Sequence, residues 1–435
     1  MFKRKIDQQL QAWKMGGEEK VLVVEGIRRS GKSTSVEAFA RSNYKSVAWL
    51  DFRRKREYFD LVAPFADLDI TNYMISKVTG ADLPGDDAVI VFDQPDLIAG
   101  VDVQKILQAY QRDGRYTVIA ITGENVITDQ TIRKIRMSAM DFEEFLWAKG
   151  EPESIMEYLR ENFRQKKPVP ELLHRDLMQQ LREYVVVGGF PEAVSDYCTS
   201  KRFDQVLKIQ NEIREHLVDD LMIRRSGQHK YRTHIANMLQ VLDAVPVNLA
   251  KENKKFLLKN VEEQGNNRSL EKFISEIEDS GYLYRCKNLK EPFPTAQSIS
   301  ENVYEAYLPD IGWYAGNMPA YVREGLIHGD PHLPDYGIRH SLFADFLIKA
   351  GKEMYYYRRR TGLAADFVLP GKDGSEIIEL RKGSKRAVST ILNDHAESVR
   401  EAVLVGDWNL SEKDRRLFLP WYMGPVYIES NQAAG

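Results

Sequence analysis

The sequence predicts an α/β protein whose amino-terminal domain contains a parallel sheet covered by helices. Between residues 20 and 150, short apolar runs alternate with helical stretches, which is the pattern of such a sheet. The first run, Val21–Val24, leads directly into the glycine-framed segment Gly26–Thr34. The chain has 435 residues, and this length predicts about three domains.

Four segments have the composition of buried strands. They are Val21–Glu25, Ser46–Asp51, Ala88–Asp93 and Tyr116–Thr122. Because helical stretches separate them, we expect parallel strands whose carboxyl ends meet at one edge of the sheet. Ligands of sheets with this topology bind at that edge.

The segment Gly26-Ile-Arg-Arg-Ser-Gly-Lys-Ser-Thr34 has the sequence and the setting of a phosphate-binding loop. A glycine turn between a strand and a helix directs backbone N–H groups and the positive end of the helix at an anion. We expect Lys32 to contact the β- and γ-phosphates of ATP, and the Ser33 hydroxyl to ligate Mg²⁺. The alternative is a chance match in a glycine-containing loop. The predicted nucleotide-binding residues are Gly26, Arg28, Arg29, Ser30, Gly31, Lys32, Ser33 and Thr34.

The ends of the third and fourth strands supply the other predicted site residues. Asp93 would hold the magnesium through water, opposite Ser33, unless it only caps a loop or helix. Gln94 follows, where many phosphate-loop ATPases have a glutamate. An amide can orient water but cannot accept its proton, and losing a general base lowers a rate by about 10²- to 10⁴-fold. Thr122 is a candidate sensor of the γ-phosphate, or else part of a simple strand-end turn.

Other charged residues could substitute for these roles. Asp96 and Glu124 are alternative carboxylates for activating water. The arginines that could reach phosphates, in the same chain or in a neighbour, are Arg28, Arg29, Arg133 and Arg136, each of which could equally be a surface or ion-pair residue.

Composition and charge indicate an ordinary soluble protein. Hydrophobic residues make up 43% and charged residues 29% of the chain, so disorder over most of its length is not expected. The net charge of −3 gives no indication of nucleic-acid binding by the whole chain. Two cysteines far apart, no secretory signal and no apolar run long enough to span a bilayer predict a cytoplasmic protein without membrane contact.

Taken together, these features resemble the bacterial and archaeal AAA-type ATPases in which an AAA_14 domain is joined to a DUF4143 domain. Besides the loop and Asp93, the resemblance is carried by Lys134–Met137, Met140–Leu146, Val187–Glu192, Met354–Tyr357, Ala365–Val368 and Ile378–Leu380. The chain departs from the family pattern at Gln94 and at Gln130-Thr131, where a Gly-Arg pair is usual. These departures concern hydrolysis more than binding, and they leave the oligomeric state open.

The predicted domains are an AAA-type ATP-binding domain (1–150), a helical lid (151–202), a winged-helix-like region (203–292) and a degenerate nuclease-fold domain (293–435). Gly188-Gly189 would form a tight turn between two helices of the lid. Ser269 opens an amphipathic helix that ends at Gly281 before a short hairpin, which suggests a winged helix. Such a region binds DNA in some proteins, but its mixed charges equally suit a spacer or a protein-interaction surface.

Three strands are predicted near the carboxyl end, at Met354–Arg358, Ala365–Leu369 and Glu376–Arg381, after a loop at 316–337. The DUF4143 resemblance implies a restriction-endonuclease-like α/β fold there, with Asp366 and Glu379 as metal-binding acids. The family pattern would also have two glutamates and a lysine where this chain has His340, Ala364 and Arg381. Arginine does not readily accept a proton, so we expect a nuclease-like scaffold without nuclease activity.

Two further segments are possible ligand sites. His328 and His332 could hold a metal, although their spacing is irregular. The block Tyr355–Arg360 could bind phosphates and stack on bases, but strand alternation would bury some of its tyrosines.

The function expected from the sequence is ATP–Mg²⁺ binding with slow hydrolysis, as in a nucleotide-dependent switch. Two other classes stay open. One is an active ATP-dependent DNA-processing enzyme, and the other is a regulatory or scaffold protein that acts through a protein partner.

Overall fold

Two sheets organise the protein in this computed structural model. The structure describes residues 1–433 except 18, 56–57, 63–66, 84, 98–101, 224–229, 258–266, 331, 334–336, 360–361 and 381–384.

The amino-terminal sheet has five parallel strands in the order β2-β3-β4-β1-β5. Its elements are α1 (Lys5–Gly16), β1 (Val21–Glu25), α2 (Lys32–Asn43), β2 (Ser46–Asp51), α3 (Tyr58–Val62), α4 (Leu68–Thr79), β3 (Ala88–Asp93), α5 (Val103–Asp113), β4 (Val118–Ile121) and β5 (Arg133–Arg136). Strands β1, β2 and β3 have the predicted bounds, and β4 is shorter than predicted.

Strand alternation directs the apolar side chains of this sheet into two cores. Leu22 and Val24 of β1 pack with α1 and α2, in a core that includes Trp13 and Phe39. Val21 and Val23 face the opposite side, together with Tyr110 of α5 and other side chains. Helices therefore cover both faces, which confirms the predicted α/β class.

The middle of the chain is helical. Its helices are α6 (Phe142–Lys149), α7 (Ser154–Gln165), α8 (Glu171–Val187), α9 (Pro191–Ser200), α10 (Phe203–Ile223), α11 (Lys230–Leu249) and α12 (Asn267–Asp279). The turn predicted at Gly188-Gly189 joins α8 to α9. A Cβ on Gly188 would lie 2.7 Å from the Gly312 Cα, and Gly188 has a φ of 75°, so the close approach requires glycine.

The carboxyl-terminal sheet is mixed and contains eight strands in the order β12-β13-β11-β10-β9-β8-β6-β7. The strands are β6 (Tyr284–Leu289), β7 (Ile299–Tyr307), β8 (Met354–Arg358), β9 (Ala364–Gly371), β10 (Gly374–Glu379), β11 (Val399–Gly406), β12 (Ser411–Lys413) and β13 (Arg416–Pro420). The accompanying helices are α13 (Ile311–Gly316), α14 (Ala320–His328), α15 (Ile338–Lys349), α16 (Lys385–Asp394) and α17 (Gly424–Ala433). The three strands predicted in this region are present as β8, β9 and β10.

Two predictions need correction. The hairpin expected in a winged helix is present as β6 and β7, but β6 also pairs with β8, so the hairpin belongs to the large sheet. The predicted boundary at 292/293 thus falls between two strands that pair with each other. The segment 316–337, expected to be a loop, contains α14.

No helix within the described parts of the chain combines the length and the apolar character that crossing a membrane requires.

Candidate functional site

The segment Gly26–Thr34 forms a tight loop between β1 and α2. Gly26 has a φ of 147°, and a Cβ there would lie 2.1 Å from the carbonyl oxygen of Met137. Gly31 has a φ of 99° at the position before α2. Both glycines are therefore required by the backbone. Ser30 is fully buried, and its hydroxyl donates to the Ile27 carbonyl at 2.8 Å, which closes the loop on itself.

Lys32, the first residue of α2, lies inside this loop. Its ammonium donates to the carbonyls of Gly26 and Ile27, both at 2.7 Å, and the residue is only 6% exposed. Burial, and secondarily the charge of Arg28, lower the pKa of Lys32 to about 7. Both of these hydrogen bonds go to backbone oxygens, and an anion in the loop would favour the charged form of the amine.

Ser33 and Asp93 are brought together by the sheet. The Ser33 hydroxyl donates to Asp93 at 3.0 Å, as expected when a strand end lies beside the start of a helix in a parallel sheet. Burial raises the pKa of Asp93 to about 6, although the hydrogen bond from Ser33 opposes this shift. A hydroxyl and a carboxylate at this distance are oxygen ligands of the type that Mg²⁺ prefers, so the predicted magnesium residues fit that ion.

Gln94 contacts the phosphate-binding loop through a hydrogen bond with Arg28. The Arg28 guanidinium donates to the side-chain oxygen of Gln94 at 2.6 Å, and the Gln94 backbone has a φ of 61°. Left-handed backbone is unusual for a residue other than glycine and often marks a functional position. Two of the predicted site residues are therefore in direct contact.

The remaining predicted residues lie around the same edge. Thr122 follows β4, is buried and donates its hydroxyl to the Gly123 carbonyl at 3.0 Å, which is a strand-end contact. Arg29 forms a 2.6 Å ion pair with Glu192 of α9. Thr34 is exposed in the first turn of α2. A phosphate-contacting role for these three residues stays a prediction.

Arg4 was not among the predicted residues, yet it contacts the loop directly. Its guanidinium donates to the Ser30 carbonyl at 2.6 Å and to the Ser138 carbonyl at 2.9 Å, and it pairs with Glu144 at 3.0 Å. Arg4 is 4% exposed. Its place in the basic amino-terminal stretch Lys3-Arg-Lys5 gave no sign of this burial.

Glu124 and Arg136 were considered separately in the sequence and form one ion pair at 2.8 Å in the structure. The Tyr284 hydroxyl of β6 lies 3.1 and 2.9 Å from the two carboxylate oxygens of Glu124 and donates its one proton to this carboxylate. This cluster joins the nucleotide-domain sheet to the carboxyl-terminal sheet. No local sequence pattern connects residues that are 160 positions apart.

Two of the residues discussed for the nuclease-like site, Asp366 and His340, are in contact with each other. Asp366 accepts from the Leu380 backbone N–H at 2.8 Å and lies 3.1 Å from the His340 ring nitrogen. Both side chains are buried. Among the residues that the structure describes, no three or more His, Cys, Asp or Glu residues are grouped to hold a metal, and this includes His328 and His332. Arg381 lies outside the described residues.

The tyrosines of the basic-aromatic block point into the protein. Tyr355, Tyr356 and Tyr357 are all buried in β8, so none presents a ring face to solvent for base stacking. Arg359 pairs with Glu291 at 3.1 Å, and Arg360 lies outside the described residues. The prediction that these tyrosines could stack on bases is therefore wrong, because their rings are buried.

Comparisons with known families match two segments of the chain. Residues 18–146 match the AAA domain AAA_14, and residues 178–325 match a domain of unknown function, DUF8612. The expected DUF4143 match is not shown. No curated protein matches the chain.

Comparisons with solved structures give only distant similarity. A Walker-type ATPase of Pyrococcus abyssi aligns with 14% identity over 73% of this chain and 96% of its own, with a TM-score of 0.43. PCH-2 of C. elegans aligns with 11% identity over 49% of this chain and 68% of its own, with a TM-score of 0.28. A signal transduction ATPase with numerous domains (STAND) from Pyrococcus horikoshii, which has a tetratricopeptide repeat sensor, aligns with 12% identity over 81% of this chain and 48% of its own, with a TM-score of 0.22.

The AAA_14 match covers the parallel sheet and the loop around Lys32. Such a fold implies nucleotide binding. The family match therefore concerns the domain at residues 18–146, which is similar to an AAA domain.

Proposed function

We propose that this protein binds ATP–Mg²⁺ and hydrolyses it slowly, so that it acts as a nucleotide-dependent switch. The observation that carries the proposal is the arrangement of Lys32, Ser33 and Asp93 around a glycine-framed loop at the carboxyl edge of a parallel sheet. Backbone N–H groups of the loop and Lys32 would hold the phosphates. Ser33 and Asp93 would hold the metal, which neutralises charge on the phosphates when bound.

Slow turnover follows from the residue after Asp93. Gln94 has no proton-accepting oxygen of useful basicity, and its side-chain oxygen accepts from Arg28 at 2.6 Å. A water molecule could be oriented here without losing its proton to this residue. The protein would then stay in its nucleotide-bound state long enough to signal through other segments of the chain or through a protein partner.

The test is steady-state ATP hydrolysis by the native protein and by Gln94→Glu. We expect weak native activity and a clear increase in Gln94→Glu, because a positioned base contributes about 10²- to 10⁴-fold. Since Arg28 would pair with the new carboxylate and lower its basicity, Gln94→Glu should also be measured together with Arg28→Gln. A native protein that hydrolyses many ATP molecules per second would contradict the proposal.

Lys32→Ala is the control for the site itself. It should lose ATP binding, whereas Gln94→Glu should bind ATP as the native protein does. Equal ATP binding by the native protein and Lys32→Ala would place the nucleotide elsewhere.

A further inference from the structure

The loop after β4 is docked on the α12–β6 segment by three contacts. Tyr284 donates to Glu124, and the Asn125 side-chain amide donates to the Asp279 carbonyl at 3.3 Å. The backbone at Gly281 lies so close that a Cβ there would be 2.6 Å from the Glu124 carboxyl carbon. Gly281 also has a φ of 76°, so this approach depends on glycine. All three contacts come from the part of the chain that matches DUF8612.

The Glu124 carboxylate is fully engaged by these neighbours. Arg136 donates to one oxygen at 2.8 Å through Nη2 and at 3.2 Å through Nε, and the Tyr284 hydroxyl donates to the carboxylate from 2.9 Å. Arg136 in turn donates to the Ile348 carbonyl at the end of α15 at 2.8 Å. These donors occupy positions at which the carboxylate would otherwise accept a hydrogen bond from water.

Glu124 nevertheless lies on the nucleotide side of the sheet. It follows β4, which is flanked by β3 and β1, so the end of β4 lies between Asp93 and the phosphate-binding loop. The Glu124 charge also acts on Lys32, where it raises the pKa against the dominant effect of burial. A buried carboxylate is therefore present at this edge of the sheet, where Gln94 offers only an amide.

We infer that Glu124 is a latent general base for ATP hydrolysis, and that Tyr284 and Arg136 hold it inactive until the α12–β6 segment moves. This inference rests on the proposed function and adds a regulator to the same site.

In the hydrolysis step, the water oxygen bonds to the γ-phosphorus while the bond to the β,γ-bridging oxygen breaks, and ADP leaves with the electron pair. Glu124 takes the proton from the water and returns it to the phosphate product.

Movement of α12 and β6 would be the natural trigger. Asp279 of α12 accepts from Asn125, and Tyr284 of β6 donates to Glu124. The Ile348 carbonyl of α15 accepts from Arg136. A partner that displaced α12 and β6 would remove the Tyr284 donor from the carboxylate, leave the Arg136 donor in place, and accelerate hydrolysis. The chain would thereby convert an event on its DUF8612-matched segment into loss of bound ATP.

The experiment compares Tyr284→Phe with the native protein in steady-state ATP hydrolysis. Removing one hydroxyl should raise kcat about tenfold, a part of what a freed base contributes, and leave KM unchanged. Tyr304→Phe is the matched control, because its hydroxyl lies on the same hairpin and contacts Glu271 instead of Glu124. Thermal unfolding of each variant shows that it remains folded.

Glu124→Gln and the double variant Glu124→Gln/Tyr284→Phe decide whether the gain runs through the carboxylate. We expect the double variant to lose the whole increase. An unchanged kcat in Tyr284→Phe, or an increase that persists in the double variant, would overturn the inference. ATP binding is measured in parallel to distinguish failure of this inference from failure of the proposed function. If the native protein did not bind ATP, the proposed function itself would be refuted.

Discussion

Lys32 is expected to bind phosphate as a cation, yet its burial favours the neutral amine. It is the residue expected to contact phosphates, and burial lowers its pKa to about 7. A folded-state pKa below the ordinary lysine value means that the free protein loses this proton as the pH rises through 7. A bound triphosphate would restore it.

ATP–Mg²⁺ binding at pH 8 should therefore take up close to one proton at Lys32. At pH 5.5 Lys32 is already charged, whereas Asp93, whose pKa is raised to about 6, would release a proton when it meets the metal. Titration calorimetry in two buffers of different ionisation enthalpy measures this change of sign. Lys32→Arg is the control, because arginine stays protonated and should show no uptake at pH 8. Equal uptake by Lys32→Arg would assign the proton to another group.

At the scale of elements, strands that are apolar throughout were predictable and strands that depend on their neighbours were not. β1, β2 and β3 were found with the bounds expected from their apolar runs. β5 was missed because three of the four residues in Arg133-Lys-Ile-Arg136 are charged and only Ile135 of the four is buried. Only its pairing with β1 makes it a strand. The phosphate-binding loop could be predicted because its glycines and its lysine are adjacent in sequence.

Helix α1 reaches the loop through Arg4, and Arg4→Ala tests that contact. The variant should lose about 3–5 kcal/mol of unfolding free energy, because Glu144 would remain buried without its partner. It should also weaken ATP binding, since the Ser30 carbonyl loses a donor. The measurements are urea unfolding and nucleotide titration.

Lys3→Ala is the neighbouring control for Arg4→Ala. Lys3 and Glu153 form an exposed pair, for which a change of only about 0–1 kcal/mol is expected. Equal losses of stability and of ATP binding in the two variants would contradict a specific role of Arg4 in holding the loop.

The whole molecule is connected by contacts that no local pattern reveals. Lys349 of α15 pairs with Asp310 at 3.0 Å and with Asp345 at 2.8 Å, and Tyr184 of α8 donates to Asp345 at 2.7 Å. Asp310 also accepts from the Gly189 N–H at 2.8 Å. The order of the motifs predicted several domains. The contacts between them, such as this buried cluster of α8, α15 and Asp310, were not predicted.

Lys349→Met should destabilise the protein by about 3–5 kcal/mol at pH 8, because two buried carboxylates lose their cation. Burial already raises the pKa of Asp345 to about 6, and the pKa should rise further without Lys349. A carboxyl whose folded pKa is raised regains stability as the pH falls through that pKa. The defect should therefore shrink at pH 5.5 in urea unfolding.

Lys352→Met is the control for Lys349→Met, because Lys352 lies three residues away with its side chain half-buried. A defect in Lys349→Met that did not depend on pH would show that the buried carboxylates are not its cause.

The loop around Lys32 is the proposed binding site for ATP with magnesium. Calorimetric titration of the native protein and of Lys32→Ala with ATP–Mg²⁺ tests it most directly. We predict saturable binding at one site per chain in the native protein and its loss in Lys32→Ala. Absence of binding to the native protein, or unchanged binding to a folded Lys32→Ala variant, would contradict the account.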